Sequence, residues 1–167
     1  MSRAFMRESD DQPERPLSAP RPSALPPGAQ NYITPDGARR FQEELERLAQ
    51  ERQRRSAMPE ELRELNLRIG YLQRLLESAV VTPPPPPAEK DQVRFGAAVM
   101  VRERSGEESC YRIVGVDEVD IDRGWVSWLS PIAKAMLNAR LGERVRFKSP
   151  SGEQELMIVA INYEQVM

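Results

Sequence analysis

The stretch Pro59-Glu60-Glu61-Leu62-Arg63-Glu64-Leu65-Asn66-Leu67-Arg68-Ile69-Gly70-Tyr71-Leu72-Gln73-Arg74-Leu75-Leu76-Glu77-Ser78-Ala79 decides the fold. Leu62, Leu65, Ile69, Leu72, Leu76 and Ala79 fall three and four apart, the spacing of a coiled-coil seam along one helix face. Pro59 suits the first helical turn, and Glu60 and Glu61 put negative charge at the positive end of the helix. A seam of this kind needs a partner, and one lies just upstream. Thr34-Pro35-Asp36-Gly37 offers an N-cap, a proline at the first helical position and an acid in the first turn. Ala38, Phe41, Leu45 and Leu48 then repeat with a 3-4-3 spacing, which runs on to Arg52 and Arg55, so the packed stripe stops before the turn. Only about four residues separate the helices, which forces an antiparallel hairpin. With ~20 residues in each helix and a rise of ~1.5 Å per residue, the arm is ~30 Å long.

Flanking segments have different chemistry. Residues 1–30 are rich in Pro, Ser, Arg and Asp and poor in large apolar side chains, so a disordered tail is expected. Residues 31–81 form the hairpin. Residues 82–91 contain five consecutive prolines, Pro83 to Pro87, and read as a stiff polyproline spacer that separates the arm from the C-terminal segment.

From Val93 the period changes to two. Val99-Met100-Val101 and Tyr111-Arg112-Ile113-Val114 read as strands joined by the turn Arg104-Ser105-Gly106-Glu107. Trp125-Val126-Ser127-Trp128-Leu129 reads as a third strand. Trp125 and Trp128 would then face opposite sides of the sheet, one in the core and one exposed as an interface residue. Ser130 and Pro131 open a short helix expected over Ile132 to Ala139. Two further strands flank Pro150-Ser151-Gly152. Residues 92–167 thus form a small domain, and the whole chain is α+β: a helical hairpin, then an antiparallel sheet with one short helix.

Composition limits the chemistry. The 167 residues carry a formal net charge of −2 with 30% charged residues, so neither sign dominates enough to indicate nucleic acid or membrane. The chain contains no histidine, which excludes imidazole metal ligands and His-based triads. The single cysteine, Cys110, rules out an internal disulfide and fits a reducing cytoplasm. No apolar run approaches a membrane span or a signal core, so a soluble, cytoplasmic protein is expected. No cofactor and no metal ligand set is expected.

Six segments occur in order: Asn31-Tyr32-Ile33-Thr34-Pro35-Asp36-Gly37, Phe95-Gly96-Ala97-Ala98-Val99, Tyr111-Arg112-Ile113-Val114-Gly115-Val116-Asp117-Glu118, Ser130-Pro131-Ile132-Ala133-Lys134-Ala135-Met136-Leu137, Ser149-Pro150-Ser151-Gly152-Glu153 and Ile161-Asn162-Tyr163-Glu164. Together they resemble the Gre transcript-cleavage factors of bacterial RNA polymerase, nearest the GreB branch. The resemblance implies an FKBP-like second domain that docks at the rim of the polymerase secondary channel, with the coiled coil entering the channel. In active members an acidic loop at the tip, with an Asp and a Glu, helps hold a catalytic Mg²⁺, and the polymerase hydrolyses the RNA of a backtracked complex. Two-metal hydrolysis needs such carboxylates, because Mg²⁺ takes oxygen ligands in an octahedral shell.

The chain departs from that pattern where the chemistry would be. No aspartate lies between Asp36 and Asp91, and the tip, Arg54-Arg55-Ser56-Ala57-Met58-Pro59-Glu60-Glu61, carries only Glu60 and Glu61. Adjacent helical residues diverge by ~100°, which opposes joint chelation and leaves first-turn charge as the alternative role. The cations Arg47, Arg52, Arg54, Arg55 and Arg63 lie near the distal arm. In Gre factors a basic patch there approaches the RNA 3′ segment; the alternative is a solvated face paired by Glu43/Arg47 and Glu51/Arg55. Polymerase-docking candidates are Trp128, Leu129, Ser130, Pro131 and Ile132, with Leu129 standing where related factors commonly place Asp or Asn. A non-enzymatic elongation regulator is therefore expected. Its rivals are a cleavage factor using Glu60 and Glu61, and an unrelated adaptor.

Overall fold

A computed structural model describes residues 25–54 and 58–163. The expectation of a disordered tail falls on residues 1–24 for the most part, outside the described residues, as does Arg55 at the tip.

Helix α1 (Pro35–Arg54) and helix α2 (Pro59–Ser78) each contain 20 residues. The start of α1 is built as its sequence requires, with the Thr34 hydroxyl accepting from the Gly37 N–H at 3.0 Å. Asp36 pairs with Arg39 at 2.6 Å and Arg40 at 3.1 Å. Burial pushes the Asp36 carboxyl up, but the Arg39 hydrogen bond and both guanidinium charges outweigh it and hold it below its ordinary value.

Phe41 and Leu48 of α1 pack on Ile69, Leu72 and Leu75 of α2, with Ala38, Leu45, Leu65 and Leu76 half-buried around them. The seam thus differs from the expected one. Leu75 is buried more deeply than Leu76, and Ala79 leaves the helix. Arg68 crosses to Glu44 at 2.8 Å and closes one flank of the hairpin. Leu72 has no exposed surface, so Leu72→Ala is expected to cost about 2–5 kcal/mol in urea unfolding.

Strand β1 (Asn31–Ile33) and strand β2 (Ala79–Val81) pair in parallel, Asn31 with Ala79 and Ile33 with Val81. The pair ties the entry of α1 to the exit of α2. It is reinforced where the Asn31 side-chain amide donates to Ser78 Oγ at 3.1 Å and Thr82 N–H donates to the Ile33 carbonyl at 2.9 Å.

The C-terminal sheet contains β3 (Ala98–Glu103), β4 (Glu108–Val114), β5 (Trp125–Ser127), β6 (Arg144–Ser149) and β7 (Gly152–Asn162), in the order β5-β4-β3-β7-β6. The β3–β4 turn falls where expected, with Gly106 at φ 89°. All neighbours are antiparallel except β4 and β5, which run parallel, so the expected antiparallel sheet is mixed at one edge. The cause is the connection Gly115–Gly124, which carries a 3-10 turn at Ile121–Arg123 and brings the chain back in the direction of β4.

Strand β5 ends at Ser127. Trp128 N–H then donates to the Val114 carbonyl at 3.0 Å and Ser130 N–H to the Ser127 carbonyl at 2.9 Å, so Trp128 and Leu129 form a turn rather than the end of a strand. Helix α3 (Pro131–Met136) is capped by Ser130, which accepts from Ala133 N–H at 3.3 Å. It stops short of the expected Ala139 because Asn138 adopts a left-handed φ of 69°. Ala133 and Met136 of α3 close the core against Val99, Val101, Ile113 and Ile158.

The proline run does not hold the arm away from this sheet. Residues 82–86 have no regular structure and Pro87–Glu89 form a 3-10 turn, yet the base of the arm packs directly on the β4–β5 connection. Glu118, 4% exposed, accepts from Gly115 N–H at 2.8 Å, from Thr34 N–H at 3.1 Å and from the Thr34 hydroxyl. Tyr71 of α2 donates its hydroxyl to Asp117. Burial, followed by the Asp117 carboxylate, pushes the Tyr71 phenol up to about 12, so it remains a donor at any working pH. Tyr32 packs edge-on against Trp128 at 5.1 Å and against Phe95 at 5.9 Å.

Candidate functional site

Two parts of the molecule bear the expected functional residues: the distal arm and the β5–α3 turn. On the arm, Arg47, Arg52 and Arg54 are exposed on α1 and Arg63 is exposed on α2. Arg52 reaches across the hairpin to the Asn66 side-chain carbonyl at 3.3 Å. Glu43, the expected partner of Arg47, instead pairs one turn back with Arg39 at 3.0 Å. Glu60 and Glu61 lie exposed in the first turn of α2. Among the described residues, no three Cys, Asp or Glu side chains gather as metal ligands would. Near the tip Met58 is 72% exposed, and a shallow groove is lined by Pro59, Leu62, Arg63, Asn66 and Leu67.

In the β5–α3 turn, Ser127 is the organiser. Its hydroxyl accepts from Leu129 N–H at 3.1 Å, and its carbonyl accepts from the Ser130 hydroxyl at 2.6 Å. This holds Leu129 half-buried and Pro131 outward at the start of α3. Ile132 and Trp128 turn inward and pack on the sheet core. Trp128 packs edge-on against Tyr32 while keeping part of its surface exposed.

Trp125 is also half-buried, so the expected division into one core and one exposed tryptophan does not hold. Its ring is surrounded by the guanidinium groups of Arg40 at 5.1 Å and of Arg112 and Arg123 at 5.2 Å. Arg40 belongs to α1, so this cluster also ties the arm to the sheet. Neither it nor the Glu118 joint was foreseen. The residues of the joint are 84 positions apart, and no local spacing connects them.

Residues 88–163 match the family model described as Transcription elongation factor, GreA/GreB, C-term. Transcription elongation factor GreB of Neisseria meningitidis is 37% identical over 105 residues, 63% of this chain and 64% of that protein. Transcription elongation factor GreA of Alkalilimnicola ehrlichii is 41% identical over 97 residues, 58% of this chain and 61% of that one. The chain thus spans somewhat under two thirds of the length of these relatives. Among solved structures, a prokaryotic transcription elongation factor GreA/GreB from Nitrosomonas europaea aligns with a TM-score of 0.41 at 26% identity, covering 80% of this chain and 100% of that one. Residues 88–163 are thus similar to the C-terminal domain of the GreA/GreB transcription elongation factors, and the relatives matched carry both names.

Proposed function

We propose that this protein regulates transcription elongation without stimulating transcript cleavage. It docks at the rim of the RNA polymerase secondary channel through the C-terminal domain and presents the arm to the channel. The turn Leu129–Ser130–Pro131 is the docking element: Leu129 supplies an apolar contact, Pro131 faces outward, and Ser127 fixes the shape of the turn. Arg47, Arg52, Arg54 and Arg63 give the arm an affinity for the phosphates of nascent RNA that weakens with salt. The work takes place in the cytoplasm, where the polymerase is.

The observation that carries this reading is the tip. Two 20-residue helices meet across residues 55–58, and the carboxylates nearest the turn are Glu60 and Glu61, both exposed in the first turn of α2. An accessory group for a second Mg²⁺ needs convergent oxygens, and two adjacent helical carboxylates diverge. An arm of ~30 Å then occupies space without delivering a ligand.

The test is RNA cleavage in a stalled, backtracked complex, with this protein alone and in competition with an authentic cleavage factor. Inhibition of that factor without stimulation is expected. Stimulation abolished by Glu60→Ala/Glu61→Ala would overturn the reading in favour of metal delivery. No effect, together with failure to bind core polymerase, would make the protein an adaptor.

A further inference from the structure

At the end of the sheet remote from the arm, three guanidinium groups converge on one carboxylate. Glu155 of β7 receives Arg104 at 2.8 Å, Arg146 at 3.3 Å and Arg144 at 3.6 Å. The placement follows from the register. Ala98 of β3 lies opposite Arg112, next to the Gly115–Glu118 joint, whereas Arg102 lies opposite Glu108, and Arg104 continues past the strand end. The three cations come from both sides of β7: Arg104 from beyond β3, Arg144 and Arg146 from β6.

Exposure separates the partners. The Glu155 side chain is 12% exposed, while those of Arg104, Arg144 and Arg146 are 76%, 71% and 67% exposed. The carboxylate sits beneath a layer of guanidinium groups whose outer N–H donors face solvent. The Arg104 hydrogen bond leads the other influences in holding the Glu155 carboxyl below its ordinary value, so it stays ionised as an internal anion. Above it opens a cleft of about 350 Å³ that Ser105 and Gln154 also line, with Glu103 and Glu153 as further carboxylates on its walls. The lining side chains include no aromatic ring for a base to stack on. Planar guanidinium forks match phosphate oxygens two at a time.

We propose that this cluster is an anion site for a backbone phosphate of nucleic acid, with the protein's own Glu155 carboxylate as its resident competitor. Glu103 and Glu153 restrict it to a single phosphate and exclude a long polyanionic track. Contact with phosphate alone makes it indifferent to base sequence and sensitive to salt. The site is independent of the docking turn and of the arm.

The test is fluorescence anisotropy with a short labelled duplex DNA, using the full chain carrying Arg47→Ala, Arg52→Ala, Arg54→Ala, Arg55→Ala and Arg63→Ala so that the arm cations do not contribute. Glu155→Gln in that background is expected to tighten binding about fivefold, the effect of one unit charge at contact distance in water. Arg104→Ala/Arg146→Ala, checked by circular dichroism to be folded at the assay temperature, weakens binding and lowers the log–log salt slope by about 0.9 for the phosphate lost. Unchanged or weaker binding by folded Glu155→Gln would overturn the assignment and leave an ordinary ion-pair network. Tighter binding of an oligoglutamate peptide than of DNA at the same cluster would also overturn it and assign the site to an acidic protein segment.

Discussion

Replacing Glu118 by Ala is expected to cost about 4 kcal/mol of folding stability, measured as a lowered urea midpoint at unchanged slope. Glu118 is 4% exposed and satisfies the Thr34 N–H, the Thr34 hydroxyl and the Gly115 N–H together. Each donor left buried without an acceptor costs about 1–3 kcal/mol, and the truncated side chain also leaves a cavity. Arg40, 4.0 Å away, would lose its nearest buried counter-charge. Glu118→Gln keeps the volume but presents one carbonyl oxygen and an amide N–H₂, so it should lose about half as much. A loss under about 1 kcal/mol for the alanine variant would mean that water replaces the carboxylate and that the joint does not hold the arm.

The second large effect concerns a substitution that helix propensity alone would favour. Gly37 lies in the first turn of α1, and a Cβ built there would stand 1.9 Å from Glu118 Oε1 and 2.5 Å from its carboxyl carbon. Gly37→Ala therefore pushes the carboxylate off its donors and is expected to destabilise by about 1–3 kcal/mol. Gly70, in the middle of α2, provides the contrast. Its added Cβ would meet only the Arg74 guanidinium at 3.4 Å. Gly70→Ala should stabilise by up to about 1 kcal/mol, the ordinary advantage of alanine over glycine within a helix. Thermal unfolding of the two variants side by side would show shifts of opposite sign. Shifts of the same sign would mean that Gly37 is not held against Glu118.

What could be read from the chain was whatever has a local period or a local stop signal. Thr34-Pro35 and Ser130-Pro131 place a cap and a proline at adjacent positions, and both helices start there. The three-four spacing of Leu65, Ile69 and Leu72 identified the hairpin, although Leu75 took a buried place that a strict seam assigns to Leu76. Strands β1 and β2 went unread because three residues are too few to show alternation. Strand β5 was read as too long because Trp128 and Leu129 are strand-like residues held in a turn by Ser127, a tertiary preference no propensity encodes. The β4–β5 connection is the clearest case. Asp117 and Glu118 look like loop surface in sequence, yet their partners lie 46 and 84 residues away. As for the candidate site, the arm cations and tip carboxylates were legible as residue types. Which of the two tryptophans is exposed was not, because both are half-buried.

The β1–β2 pair has a consequence for how such arms diversify. Both feet of the hairpin are fastened to each other, and through Thr34 and Tyr71 to the sheet, while the described residues at the far end make no comparable tie to the sheet. Inserting seven residues into each helix near the turn keeps the apolar repeat in register and moves the tip outward by about 10 Å. Nothing at the base has to change. Reach is thus a modular variable of this architecture: a ruler that can be recut at one end while its mount stays untouched.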